Sequence, residues 1–231
     1  MKYKIILPYL LVIAIFGSAP RVWAGQPTTG ASPRSLYQKA LNASHQGNYV
    51  SALRFIQQAK VLYAGQGNQE GAYRAGALEY YLRFEKGTLE TKGRNTIPDW
   101  IRNGWLLKNF SYSGTYIIPP VPSAAYHGLL IFLRKVRDIP QGPGRSVPIW
   151  GILATKSLPK LKPGEEFVGG SCKIKGRSFN SGIAAIVLTK GQQNQENFTI
   201  IRKAWFLNPR SSKIETIPAN QVVCANEGYG V

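Results

Sequence analysis

Residues 198–207 read Phe198-Thr199-Ile200-Ile201-Arg202-Lys203-Ala204-Trp205-Phe206-Leu207. Successive side chains of a strand point to opposite faces, so Ile200, Ala204 and Phe206 fall on one face and Ile201, Trp205 and Leu207 on the other. A strand that is apolar on both faces is central and has to be covered twice. One cover is the sheet's own core and the other is supplied by the helices that precede it in the chain. The stretch therefore predicts an α+β fold in which helices and an antiparallel sheet share one core.

Outward from this stretch, short β-branched and aromatic runs recur from Gly128 onward, separated by Gly, Pro and Asn. The runs predicted as strands are Leu129–Arg137, Pro148–Lys156, Phe167–Lys175, Ile183–Lys190, Phe198–Leu207, Lys213–Ile217 and Val222–Ala225. Leu129, Leu130, Leu133 and Val136 also satisfy a helical period, and strand is the reading adopted. Breaks fall at Gly142-Pro143-Gly144, Pro163-Gly164, Asn180-Ser181-Gly182, Gly191 to Asn197 and Asn208-Pro209. Within Cys172-Lys173-Ile174-Lys175, the pleat turns Cys172 and Ile174 inward and Lys173, Lys175 and Arg177 outward.

Upstream the period changes to that of helices. Ser32 is a cap and Pro33 a first-turn residue; Leu36, Ala40 and Ala43 recur at helical spacing until Gly47. A second helix follows Asn48, its buried face written by Tyr49, Ala52, Leu53, Ile56, Ala59, Val61 and Tyr63, and stops at Gly65 to Asn68. A third, Gln69 to Lys86, carries Tyr73, Ala77, Tyr80, Tyr81 and Phe84. The polar stretch from Thr88, the Pro98 to Lys108 segment read as a short helix bearing Trp100, Ile101 and Trp105, and an extended proline-rich piece to Ser123 form a packed connection.

Leu36 to Ala64 resembles one tetratricopeptide repeat, with Leu36 at the first large apolar place, Ala40 at the small contact place, Gly47-Asn48-Tyr49 at the turn, and Ala52, Ile56 and Ala59 on the second helix. Lys39, Ala43 and Ala64 depart from that pattern. The resemblance implies a helical hairpin presenting a groove, and about three such repeats are needed for a stack that stands alone, so this one has to dock on the rest of the chain. The tail from Ala204 to Val231 resembles uncharacterised exported proteins of cyanobacteria, which bears on compartment only. The organisation read from the chain is a signal peptide at 1–24, a lead-in at 25–31, the tetratricopeptide-like region at 32–87, the connection at 88–123 and an antiparallel β domain at 124–231.

Met1 to Ala24 has the form of a secretory leader: Lys2 and Lys4, an apolar run from Ile5 to Phe16, and Val22-Trp23-Ala24 before Gly25. The run is shorter than the roughly 20 residues a membrane span requires, and an uncleaved anchor is the alternative reading. Export makes a disulfide between Cys172 and Cys224 the default, contributing about 4 kcal/mol through the roughly fifty-residue loop it closes. The periplasm, the thylakoid lumen and the extracellular space all fit such a chain.

The 231 residues are 44% hydrophobic and 17% charged, which excludes the disordered class, and carry a formal charge of +18. No nucleophile elbow, phosphate loop or zinc-protease motif occurs, and Gly65-Gln66-Gly67 leading to Gly71 has the wrong spacing for a dinucleotide site. His45 and His127 stand alone, so neither a metal nor a cofactor is expected. His45 at a helix end complements the dipole. Glu165 and Glu166 alternate across a strand and cannot by themselves make a two-carboxylate site; Glu227 beside Asn226 is a further candidate.

What asks for a partner is the basic surface. Lys173, Lys175, Arg177, Arg202, Lys203 and Arg134, with Trp100 and Trp105, are the candidate binding residues, facing an acidic protein, lipid or polymer; for the tryptophans, packing between helices and sheet is the first reading and peripheral membrane contact the alternative. Export argues against nucleic acid. The functional expectation is a binding or scaffolding protein with a helical groove and a cationic β face; the competing expectation is a cell-envelope hydrolase acting on a wall polymer.

Overall fold

The computed structural model describes residues 30–90, 101–107, 110–121, 123–178 and 182–229. Residues 1–29, which hold the expected leader and most of the expected lead-in, and Trp100 lie outside the described residues. Three helices come first: α1 (Pro33–His45), α2 (Tyr49–Gly65) and α3 (Gln69–Glu90). Ser32 caps α1, its hydroxyl accepting from the Ser35 amide at 3.1 Å. The α1–α2 turn is so short that Gly47 takes φ +74°, a conformation side chains disfavour, and Asn48 then caps α2 by accepting from the Ser51 amide at 3.1 Å. Ala40, Ala52, Ala59 and Ile56 are fully buried, and the small residues let the helices approach closely. Val61, expected on the buried face of α2, is 66% exposed because it lies beyond the stripe that Ile56, Ala59 and Tyr63 turn inward.

Eleven strands follow among the described residues: β1 (Ile101–Leu106), β2 (Tyr112–Ile117), β3 (Tyr126–Gly142), β4 (Arg145–Pro159), β5 (Glu165–Gly169), β6 (Cys172–Ile174), β7 (Ile183–Leu188), β8 (Asn197–Phe198), β9 (Ile201–Asn208), β10 (Lys213–Ile217) and β11 (Val222–Ala225). They form three antiparallel sheets, ordered β1-β2-β3-β4, β10-β9-β7-β5 and β6-β11-β8. The class is α+β, and the layers run helices, first sheet, second sheet, third sheet.

Alternation along β3 builds this stack. Leu129, Ile131 and Leu133 point at the helices, together with Ile149 and Ile152 of β4, while Leu130 and Phe132 point at Ala184, Ile186, Trp205 and Leu207 of the second sheet. The second sheet repeats the device. Its opposite face, Ile183, Ala185, Val187 and Ala204, packs on Cys172, Phe198, Val222 and Cys224 of the third. Cys172 stands opposite Cys224 in the β6–β11 ladder, both are fully buried, and they are joined in a disulfide. Such a bond is what an oxidising compartment favours. No described helix is long and apolar enough to cross a membrane.

Four expectations are corrected. The helix expected over Pro98 to Lys108 is strand β1 across Ile101–Leu106, because pairing with β2 lays the Trp105 ring over Gly114, where an added Cβ would come within 2.3 Å of it; Pro98, Asp99, Trp100 and Lys108 lie outside the described residues. The single run Phe167–Lys175 is two strands, since Gly170 at φ +83° redirects the chain from the second sheet to the third. Phe198–Leu207 is likewise divided at Thr199-Ile200, which carry the chain back from β8 to β9 and leave Ile200 53% exposed. Finally, β9 is covered on both faces by sheets; the helices lie on the first sheet, with β4 taking α1 and both β3 and β4 taking α3.

Candidate functional site

Where the helical layer meets the first sheet, α1 does not cover β4 fully. A groove of about 1080 Å³ remains, walled by α1 from Ser32 to His45, by Tyr63, Gln66, Asn68 and Arg74 around the α2–α3 turn, by Ile152 to Thr155 of β4, and by Ser211 to Lys213 at the start of β10. Among the described residues its charged lining is Arg34, Arg74 and Lys213, with His45 at one end and no carboxylate.

Arg74 lies on α3 with its guanidinium 5.0 Å from the centre of the Tyr37 ring, and its Nε is buried without a hydrogen-bond partner among the described residues. The Tyr37 hydroxyl is 2.6 Å from Thr155 Oγ1, tying α1 to β4 across the groove floor. Burial pushes the Tyr37 phenol up to about 12, against the opposing pull of the Arg74 charge and the Thr155 bond, so it remains neutral and holds that tie. Lys213 follows a turn in which Asn208 Oδ1 accepts from the Arg210 amide at 3.0 Å, while Glu215 accepts from Asn208 Nδ2 at 3.0 Å and Ser211 Oγ at 2.7 Å. Glu70, one turn before Arg74 on α3, is not among the described residues that line the groove. Among the described residues no acidic side chain lines the groove, and the buried Arg74 Nε has no hydrogen-bond partner.

At its far end His45 packs with its Cα 2.7 Å from where a Cβ on Gly151 would sit, and its Nδ1 is buried without a partner among the described residues. The groove thus pairs cations and amides with an apolar floor of Leu41, Tyr63 and Ile152. That combination suits an anionic ligand with some apolar surface.

The described residues singled out from sequence are placed elsewhere, and Trp100 lies outside the described residues. Lys173 lies on β6, with Lys175 and Arg177 exposed in the turn after it, in the outermost sheet. Arg202 is engaged internally, in an ion pair with Glu165 at 2.8 Å and as donor to the Lys160 carbonyl at 3.2 Å. Lys203 is exposed on β9 in the second sheet and Arg134 on β3 in the first. Trp105 is wedged against Gly114, Gly169 and Gly170, with the Phe167 ring 6.2 Å away. These side chains are spread over three sheets, and none lines the groove.

A second cleft, of about 550 Å³, opens where the third sheet meets β5, and it brings Glu166 and Glu227 into one lining with Ser171, Thr189, Gln193 and Asn226. Its rim is fixed: Asn226 Nδ2 donates to the carbonyls of Gln193 at 3.0 Å and Gln195 at 2.9 Å, and the Ala225 amide donates to the Ser171 carbonyl at 2.8 Å. His127 is not part of it. Among the described residues, no group of three or more His, Cys, Asp or Glu is arranged to hold a metal.

Arg34, Arg74 and Lys213 escaped sequence reasoning because they are single cations separated by long stretches of chain, and only the docking of α1 on β4 gathers them. The one signal available was the excess of basic over acidic residues within the helical region, which was overshadowed by the larger excess in the β region. Compared with known proteins, the chain matches no family model, no curated protein and no solved structure.

Proposed function

We propose that this chain is an exported binding protein that holds an acidic partner in the groove between α1 and β4. The observation that carries the reading is the lining itself: Arg34, Arg74 and Lys213 line one groove, with no carboxylate among its described lining residues. Attraction of an anion into a concave site with low-dielectric walls is stronger than on an open surface, where scattered lysines are solvated. The leader-like N-terminus and the disulfide support a place outside the cytoplasm, in a periplasm, a lumen or the extracellular medium.

Titration with poly-glutamate at low salt tests this. Substituting Arg34→Gln, Arg74→Gln and Lys213→Gln together is expected to weaken binding at least tenfold, whereas Lys173→Gln, Lys175→Gln and Arg177→Gln together leave it within twofold. The reverse pattern would move the site to the outer sheet.

A second reading, a cell-envelope hydrolase acting on a wall polymer, is favoured by the meeting of Glu166 and Glu227 in one cleft. Release of soluble fragments from purified wall polymer, lost in Glu166→Gln and in Glu227→Gln, is what that reading requires.

A further inference from the structure

The first sheet ends on β4, so one edge of that strand has no neighbouring strand among the described residues. Four consecutive residues of it, Ile152, Leu153, Ala154 and Thr155, line the groove. Ile152 belongs to the core on the helix side of the sheet while Leu153 and Ala154 pack toward the second sheet, so a cavity bordered by all three runs along the strand's edge, where the two faces meet the backbone. The β3–β4 register also slips here, Phe132 and Leu133 standing opposite Ala154 and Ile152, which leaves Leu153 out of the ladder. Just before the groove the same edge is closed: the Tyr49 hydroxyl donates to the Trp150 carbonyl at 2.8 Å. An open edge of this kind calls for a cover or a partner.

Resting on the reading of the groove as an acidic-partner site, we propose that the partner is an extended acidic peptide segment that adds to β4 as a further strand. Its backbone pairs with the free edge at Ile152–Thr155, and its carboxylates meet Arg34, Arg74 and Lys213. Strand addition makes affinity from main-chain hydrogen bonds and selectivity from alternate side chains, so the segment that fits alternates acidic with apolar residues. At about 3.3 Å per residue, the four lining residues of β4 match a peptide core of roughly four residues, with flanking residues reaching the cations.

The probe is an acetylated, amidated hexapeptide of alternating Glu and Val, titrated against the full disulfide-bonded protein. Two variants of the peptide carry backbone N-methyl groups, one on the three Glu residues and the other on the three Val residues. Only one set of amides in an added strand faces β4, so methylation of one set is expected to weaken binding at least tenfold and methylation of the other to leave it nearly unchanged. Arg74→Gln in the protein should weaken the parent peptide severalfold, more at low salt than at high.

If both methylated peptides bind like the parent, strand addition is wrong while the cationic groove survives. If neither the hexapeptide nor poly-glutamate binds at low salt, the groove reading fails with it. Polygalacturonate of matched charge competing as strongly as the peptide would also overturn the proposal, because a polysaccharide cannot donate the backbone pattern.

Discussion

Glu79 and Glu85, six residues apart on α3, are set in opposite ways by their surroundings. Glu79 is 7% exposed, and burial alone would raise its pKa. Hydrogen bonds from Lys60 at 2.6 Å, Gln57 at 3.0 Å and Arg83 at 2.7 Å overcome that and lower it to about 2. A carboxyl whose folded pKa lies below its unfolded value contributes stability that is present above the unfolded pKa and lost as pH falls through the folded one. Glu79 therefore accounts for a loss between about pH 4.5 and pH 2. Glu79→Gln should cost roughly 1–2 kcal/mol at pH 7, since Lys60 and Arg83 are solvated enough to survive alone, and should flatten the acid limb of a urea-unfolding pH series. Glu85 is raised to about 7, by burial first and against the bond from Tyr81. Its sign is opposite: the folded state keeps the proton, so stability is lost as pH rises from about 4.5 through 7. Glu85→Gln is expected to remove that decline, with the variant matching or exceeding the parent at pH 8 in the same series.

At the level of elements, the ends governed by local chemistry were legible and the joins governed by packing were not. Ser32-Pro33 starts α1 as read, and β10 and β11 occupy the residues expected of them, because caps, turns and short alternating runs are local signals. β3 was ambiguous in sequence for a physical reason now visible: with helices on one side and a sheet on the other, both of its faces are apolar, which erases the two-residue period. β1 was misread because Ile101 and Trp105 have helical spacing, while what fixes the strand is the flat space that Gly114 and Gly169 leave for the indole. An added Cβ at Gly114 would lie 2.3 Å from that ring. Gly114→Ala is expected to destabilise the protein by roughly 1–3 kcal/mol through overpacking, and Gly104→Ala, where the nearest atom is 3.8 Å away, by less than Gly114→Ala. Thermal unfolding of the two variants side by side checks the assignment; equal losses would contradict it.

Across the whole molecule, three sheets and a helical layer stack so that the disulfide lies in the last layer and the groove in the first. Cys172 and Cys224 close a separation of 52 residues that spans β7 to β10, so the bond ties down the chain of the second sheet as well as the third. Replacing both cysteines by alanine is expected to cost about 4 kcal/mol, read as a lower denaturation midpoint, while acidic-peptide binding at the distant groove persists in the folded fraction. The candidate site itself was not legible, since its residues come from 32–45, 63–74, 152–155 and 211–213, and no local pattern announces that they meet. The most direct test of the account is backbone amide shift mapping of the full protein on addition of the alternating Glu and Val hexapeptide. With the peptide in the groove, the perturbed amides cluster at Arg34 to His45, Gln66 to Arg74, Ile152 to Thr155 and Ser211 to Lys213. Perturbations confined to Lys173, Lys175 and Arg177, or to the cleft of Glu166 and Glu227, would contradict it.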